Sequence, residues 1–272
     1  GALTSGVNNT LMGSLAGDSL TDADLNVAIG KGALTSDTLG SQSVAIGFAA
    51  LETQNFTTAT DTFNTAVGSA AGAAITTATS NNLIGGLAGD ALTTGSFNSV
   101  LGVVALSADT AGNKSIAIGH GALLTQNFTT STDVLNVAIG HNAGLAVTTG
   151  IQNTLIGGLA GDALTASGFN VAVGVNALTT DTLGNQSTAL GYQALGAQNF
   201  TTATETRNVG VGYLAGAAIT TGVKNTLVGS SAGLAITDAD NNVAMGTQAL
   251  TANVLGSSSV AIGTGALANQ NP

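Results

Sequence analysis

Short β-compatible segments alternate with runs of small polar residues along the whole chain, and the alternation is periodic. Each segment reads Asn or Ser, two small or apolar residues, an aliphatic, then Gly, as in Asn26-Val27-Ala28-Ile29-Gly30. Fifteen copies occur, the first ending at Gly13 and the last at Gly263. Successive glycines follow at an interval of 17, as from Gly13 to Gly30 and Gly47, except for three intervals of 21, so the whole pattern returns with a period of 72. A fixed short period of strand-like segments separated by turn residues predicts an all-β, parallel β-solenoid of 17-residue coils, with a 21-residue coil every fourth. So short a coil cannot hold two helices and their turns, and Gly and Thr are poor helix formers. The whole chain, 1–272, reads as one continuous solenoid, with super-repeat boundaries near Gly47, Gly119, Gly191 and Gly263. Both ends fall inside a coil, so the chain is expected to be a segment of a longer array.

Stacked coils place one column of side chains about 4.8 Å apart, giving roughly 70 Å for fifteen rungs. Each column then becomes a physical statement. Four positions before the glycine stands Asn9, Asn26, Asn64, Asn81, Asn98, Asn136, Asn153, Asn170, Asn208, Asn225 or Asn242, replaced by Ser43, Ser115, Ser187 and Ser259 once in each super-repeat. Such a column is expected to hydrogen-bond along the stack and satisfy turn amides, with Ser a shorter substitute. The glycine column supplies a bend that a Cβ would obstruct. Three positions after it stands Ala in every copy, followed by Gly or Leu alternating in pairs.

Side chains alternate faces along a strand, so Val27 and Ile29 share one face and Ala28 takes the other. The Ala28 column continues through Ala45, Ala66, Leu83, Ala117, Ala138, Leu155 and Ala172 without a charge. Strands apolar on both faces are usually buried on both. A double-layered core within one chain accounts for this. The preferred account is close packing of the Ala28 column against sister chains, which makes it the candidate trimer face.

Composition narrows the classes. Among 272 residues aromatics are 3% with no Trp, too few for an ordinary core of this size. An apolar fraction of 44% argues against disorder. No run of about 18 apolar residues exists to form a membrane helix. With no Cys there is neither disulfide nor thiolate chemistry. The formal charge is −10, and Lys31, Lys114, Lys224 and Arg207 are scattered, which disfavours nucleic acid.

Asn26-Val27-Ala28-Ile29-Gly30 and Ser43-Val44-Ala45-Ile46-Gly47 resemble the head repeat of YadA-type trimeric autotransporter adhesins. Asn153-Thr154-Leu155-Ile156-Gly157-Gly158-Leu159-Ala160-Gly161 is similar to a related repeat of bacteriophage tail fibres. The resemblance covers essentially the whole chain. It implies a left-handed β-roll, three chains about one axis, and a role in attachment outside the cell. The coils here are longer than the compact adhesin-head coil, and neither a heptad stalk nor a membrane anchor is expected from the residues. The expectation is therefore the shaft of a homotrimeric tail fibre on a virion, holding or contributing to host-receptor binding. The alternatives are a bacterial trimeric adhesin head at the cell surface and, as a third class, an ice-binding solenoid.

The expanded coils carry Gln54-Asn55-Phe56, Gln126-Asn127-Phe128 and Gln198-Asn199-Phe200. Phe56, Phe128 and Phe200 are candidate surface contacts for a glycan, or else covers folded over a wider core, which is the favoured reading. The variable column after the glycine places His120 beside His141 and Tyr192 beside Tyr213, where each pair should stack on an exposed face. No carboxylate stands at ligand spacing beside either His, so no metal or cofactor is expected. Asp37, Asp109 and Asp181, like Asp18, Asp90 and Asp162, are expected to cap turns and keep the chain soluble. A column containing Thr21, Thr76, Thr93 and Thr165 raises the ice-binding alternative but is only one Thr wide. Nothing combines a nucleophile with a base in a unique cluster, so the segment reads as non-enzymatic, with itself and a cell-surface glycan or protein receptor as partners.

Overall fold

A computed structural model describes residues 3–270. It is an all-β parallel solenoid of about fifteen turns, with no helix among the described residues. The chain divides into two units, Gly1–Leu135 and Asn136–Pro272.

In the first unit the principal sheet consists of Thr10–Met12, Val27–Ile29, Val44–Ile46, Thr65–Val67, Asn82–Ile84, Ser99–Leu101 and Ile116–Ile118. Each pairs in parallel with the next, residue for residue, as in Val27↔Val44 and Ala28↔Ala45. The register therefore advances by one short coil at each step, and by one long coil where Val44 meets Thr65. The extra residues of the longer coil form short second ladders, Gly40–Ser41 with Thr60–Asp61 and Gly112–Asn113 with Thr132–Asp133. The second unit repeats the plan with Val137–Ile139, Thr154–Ile156, Val171–Val173, Thr188–Leu190, Val209–Val211, Thr226–Val228, Val243–Met245 and Val260–Ile262. Its longer coil, between Thr188 and Val209, adds the pair Gly184–Asn185 with Thr204–Glu205.

The glycine that ends each strand sits at φ near +134° at Gly157, a conformation L side chains rarely adopt. Its α-carbon also lies against the next coil: a Cβ on Gly157 would stand 2.5 Å from the Gly174 carbonyl oxygen. Glycine is therefore required twice over, by dihedral angle and by the closeness of stacked turns.

The core is filled by complementary columns. Where the position four after the glycine is Leu, as at Leu34, Leu51, Leu106 and Leu123, the residue three further on is polar: Asp37, Gln54, Asp109 and Gln126. Where it is Gly, as at Gly72 and Gly89, that later residue is Ile75 or Leu92. A Cβ on Gly72 would meet the δ-carbons of Leu83 at 2.7 Å and Leu51 at 3.0 Å, so the missing side chain is the space its neighbours occupy. The paired Gly/Leu alternation is thus a volume exchange at constant packing density.

Which strand face is inside differs from the expectation. Ala28, Ala45, Ala66, Leu83, Ala117, Ala138, Leu155 and Ala172 are all fully buried within the single chain. They cannot be a trimer face. The cross-section of each coil is narrow, and Leu34 or Ile75 reaches across it, so the strand contributes a small side chain inward. The branched Val and Ile of the same strands point outward instead.

Candidate functional site

Three features of the coil carry chemistry: the amide ladder, a buried polar cluster repeated with the long coils, and the outward face. In the ladder the backbone N–H of Asn26 donates to Asn9 Oδ1 at 2.9 Å, and Ser43 N–H donates to Asn26 Oδ1 at 2.8 Å. Asn26 Nδ2 in turn donates to the Gly40 carbonyl at 2.9 Å. The same bonds recur at Asn64, Asn81, Asn98 and Ser115 in the first unit. In the second they run from Asn136 through Asn153 and Asn170 to Ser187, and from Asn208 through Asn225 and Asn242 to Ser259. Asn26, Asn81, Asn98, Asn153 and Asn170 each close one turn amide of the neighbouring coil and one carbonyl further along, in a buried site where leaving either open is costly.

Serine is more than a short substitute. At Ser43 the room left by the missing carboxamide admits Gln54 from the following coil, whose Nε2 donates to Ser43 Oγ at 2.8 Å and to Asp37 Oδ2 at 2.6 Å. Gln54 Oε1 accepts from Asn64 Nδ2 at 2.9 Å and so resumes the amide column. Asp37 Oδ1 accepts from the amides of Gly40 and Phe56, both at 3.0 Å. Ser43 Oγ also meets Thr62 Oγ1 at 2.5 Å, which donates onward to the Ser41 carbonyl at 2.9 Å. Asp37, Ser43, Gln54, Thr62 and Asn64 are all fully buried. The cluster recurs as Asp109, Ser115 and Gln126 and as Asp181, Ser187, Gln198, Thr206 and Asn208. Val134 replaces the threonine in the middle copy. The side-chain donors of the first cluster face acceptors within it or on the neighbouring backbone, so its chemistry is cohesive.

Asp37, Asp109 and Asp181 do cap turns, through Gly40, Gly112 and Gly184, but they are buried and do not act as solubilising surface charge. Sequence reasoning noted these aspartates, the serines and the Gln-Asn-Phe segments separately. Their recurrence together, once in every super-repeat, was the signal that they form one cluster.

Phe56, Phe128 and Phe200 are buried, with at most 9% exposure. They are covers over the long coil rather than surface contacts, held there because the Phe amide donates to the buried aspartate. His120 and His141 are exposed, one in each unit. Tyr192 and Tyr213 are exposed and stack with ring centroids 5.5 Å apart and an interplanar angle of 13°. Among the described residues no group of three or more His, Asp or Glu side chains is placed to hold a metal ion. The threonine column is turned to internal use: Thr21, Thr76, Thr93 and Thr165 each donate their hydroxyl to a carbonyl of the next coil at 2.9–3.1 Å. At Asp238 the hydroxyls of Thr220, at 2.7 Å, and Thr221, at 3.0 Å, hold the carboxyl below its ordinary pKa by stabilising the charged form.

The outward strand face is uncharged in both units: its second position is aliphatic on every coil, while its first is Val or Ile on some coils and polar on others, as at Thr65, Asn82, Ser99 and Thr154. In the first it pairs Val27 with Ile29, Val44 with Ile46, Thr65 with Val67 and Ile116 with Ile118. In the second it pairs Val137 with Ile139, Val171 with Val173 and Val243 with Met245. Neither column contains a charged residue. Beside them stand exposed large side chains that sequence reasoning missed, including Leu25, Phe63, Phe97 and Phe169. All four hold positive φ angles, at the turn just before the amide ladder.

No protein-family description matches this chain, nor does any curated protein or solved structure.

Proposed function

We propose that this chain is a shaft segment of a homotrimeric attachment fibre of the tail-fibre type, working outside the cell on a virion. The observation that carries the reading is the outward sheet face. An uncharged face that presents an aliphatic side chain on coil after coil, flanked by exposed Phe and Leu, is a candidate association surface. Three copies set face to face would cover it on every chain at once, in closed symmetry. The amide ladder and the buried polar clusters support a mechanical role, because they tie each coil to the next by side-chain bonds in addition to the backbone ladder. Attachment, the tail-fibre type and left-handedness rest on the resemblance of the repeats.

The test is mass in solution. Light scattering on the purified chain is expected to give three times 26.1 kDa. Ile84→Glu and Val171→Glu, both on exposed outward positions, are expected to return it to one chain with an unchanged β circular dichroism spectrum. A monomeric wild type, or trimers that tolerate both glutamates, overturns the proposal.

A further inference from the structure

Asn-X-Ser/Thr, with X other than Pro, is the tripeptide at which sugar is joined to an asparagine amide, and it counts only where the fold presents it on a surface loop. Six copies occur, beginning at Asn8, Asn55, Asn113, Asn127, Asn185 and Asn199. The structure sorts them. Asn113 is buried, its Nδ2 donating to Ser131 Oγ at 3.0 Å and its Oδ1 accepting from Ser96 N–H at 2.8 Å. Asn185 is held in the same way, by the Leu183 carbonyl at 3.3 Å and Gly168 N–H at 2.7 Å. The third residues of both, Ser115 and Ser187, are buried in the amide ladder. Asn8-Asn9-Thr10 runs straight into that ladder and the first strand. Asn55-Phe56-Thr57, Asn127-Phe128-Thr129 and Asn199-Phe200-Thr201 are different. They occupy one equivalent place in the three long coils, in irregular backbone. In each, Asn and Thr are exposed and the Phe between them is buried, the alternation of an extended chain. The Thr38 hydroxyl donates to Asn55 Oδ1 at 3.1 Å, and those of Thr110 and Thr182 donate to Oδ1 of Asn127 and Asn199, both at 3.3 Å. Each carboxamide turns its oxygen to the neighbouring coil, while its Nδ2 makes no hydrogen bond among the described residues.

We infer that Asn55, Asn127 and Asn199 are N-glycosylation sites, each taking one glycan from a diphosphate-activated sugar by the action of a separate transferase. The inference goes beyond the attachment reading and does not depend on it. In the transfer Nδ2 attacks the anomeric carbon, so a C–N bond forms as the bond from that carbon to the diphosphate oxygen breaks. The bonding pair leaves with the diphosphate, the nitrogen gives one proton to the transferase, and nothing is oxidised or reduced. The buried Phe, whose amide donates to Asp37, Asp109 or Asp181, closes each tripeptide into its coil, so the sugar is added before that coil closes. The folded chain then accommodates it, because the substituted nitrogen has no bond to lose and belongs to an exposed side chain. At Asn113 or Asn185 a glycan would instead break bonds that tie neighbouring turns together.

The test is intact mass with peptide mapping on the folded chain. Purified from its natural source, the protein is expected to carry sugar at Asn55, Asn127 and Asn199 and none at Asn113 or Asn185. The full chain is also co-expressed with a transferase that uses nucleoside-diphosphate sugars and, separately, with a membrane transferase that uses lipid-diphosphate sugars. Transfer to the same three asparagines is expected in one arm, and that arm identifies the class of donor. Thr57→Ala, Thr129→Ala and Thr201→Ala together remove the acceptor pattern at exposed positions while keeping the asparagines, and are expected to abolish the added mass with an unchanged β circular dichroism spectrum. The corresponding serine variants restore the pattern and are expected to regain the sugar. A natural chain without sugar, no transfer in either arm, sugar on Asn113 or Asn185 of the folded chain, or an alanine variant that keeps its sugar overturns the inference.

Discussion

Asp37 accepts three hydrogen bonds in a fully buried site, from Gly40 N–H, Phe56 N–H and Gln54 Nε2. Replacing it with Ala or Asn removes the same buried charge, so the desolvation returned is common to both variants and cancels between them. What differs is the acceptors. Asp37→Ala leaves three buried donors open, at about 1–3 kcal/mol each, or about 3–6 kcal/mol together after some relaxation. Asp37→Asn keeps Oδ1 for the two amides and sets one Nδ2 against Gln54 Nε2, at a cost of about 1–2 kcal/mol. The chain itself carries that solution at the equivalent Asn253, whose Oδ1 accepts from Gly256 N–H at 2.8 Å. Stacked coils open locally, so the assay is amide hydrogen exchange at Gly40 and Phe56, with Asn153 in the second unit as the internal standard. A gap of about 3 kcal/mol corresponds to roughly a hundredfold faster exchange in the alanine variant than in the asparagine variant. Equal exchange in the two variants would refute the claim that the aspartate acts as a shared acceptor.

Gly157→Ala forces a Cβ to 2.5 Å from the Gly174 carbonyl and holds it at φ +134°, and is expected to cost about 3 kcal/mol or more, seen as a lowered melting temperature. Val104 is a β-branched residue at φ +52°, where the equivalent coils have Asn142 and Asn176. Val104→Asn is therefore expected to stabilise the chain by about 0.5–1 kcal/mol in urea unfolding. Thr220→Ala with Thr221→Ala is expected to raise the Asp238 pKa towards its ordinary value, followed by carboxyl chemical shifts. Because that pKa is depressed in the folded chain, the contribution of Asp238 is present above the unfolded-state value and is lost as pH falls through the folded one. The double variant should then lose less stability on acidification than the wild type, by a small margin at so exposed a site.

The period of the chain was fully legible, because stacking forces each column to repeat the same steric demand. The glycines, the Asn and Ser ladder and the Gly/Leu pairs all stood in the sequence as spacings. The inside of the strand was not. Alternation by two says that Val27 and Ala28 face opposite ways without saying which way is in. Size suggests the wrong answer when the cavity is narrow. The resolving clue was the Leu34 column, whose bulk leaves room only for Ala28 opposite. The buried Asp37 cluster stayed hidden for a different reason: surface is the usual place for an aspartate, and only Ser43 and Gln54 at fixed offsets signal that this one is enclosed. Positive φ at Phe63, Phe97 and Lys114 left no residue-type signature, since neighbouring coils rather than local preference impose it.

The exchange of volume and polarity between coils fixes how such a chain can grow or shrink. Cutting out the short turn that carries Asp37 would leave the Gln54 carboxamide without its buried acceptor. Removing one whole super-repeat, such as 48–119, rejoins like with like in the glycine, Asn/Ser, Gly/Leu and Asp/Gln columns. Gain or loss of chain is therefore expected in whole multiples of that length. The reach of the protein is in this sense quantised by its interior.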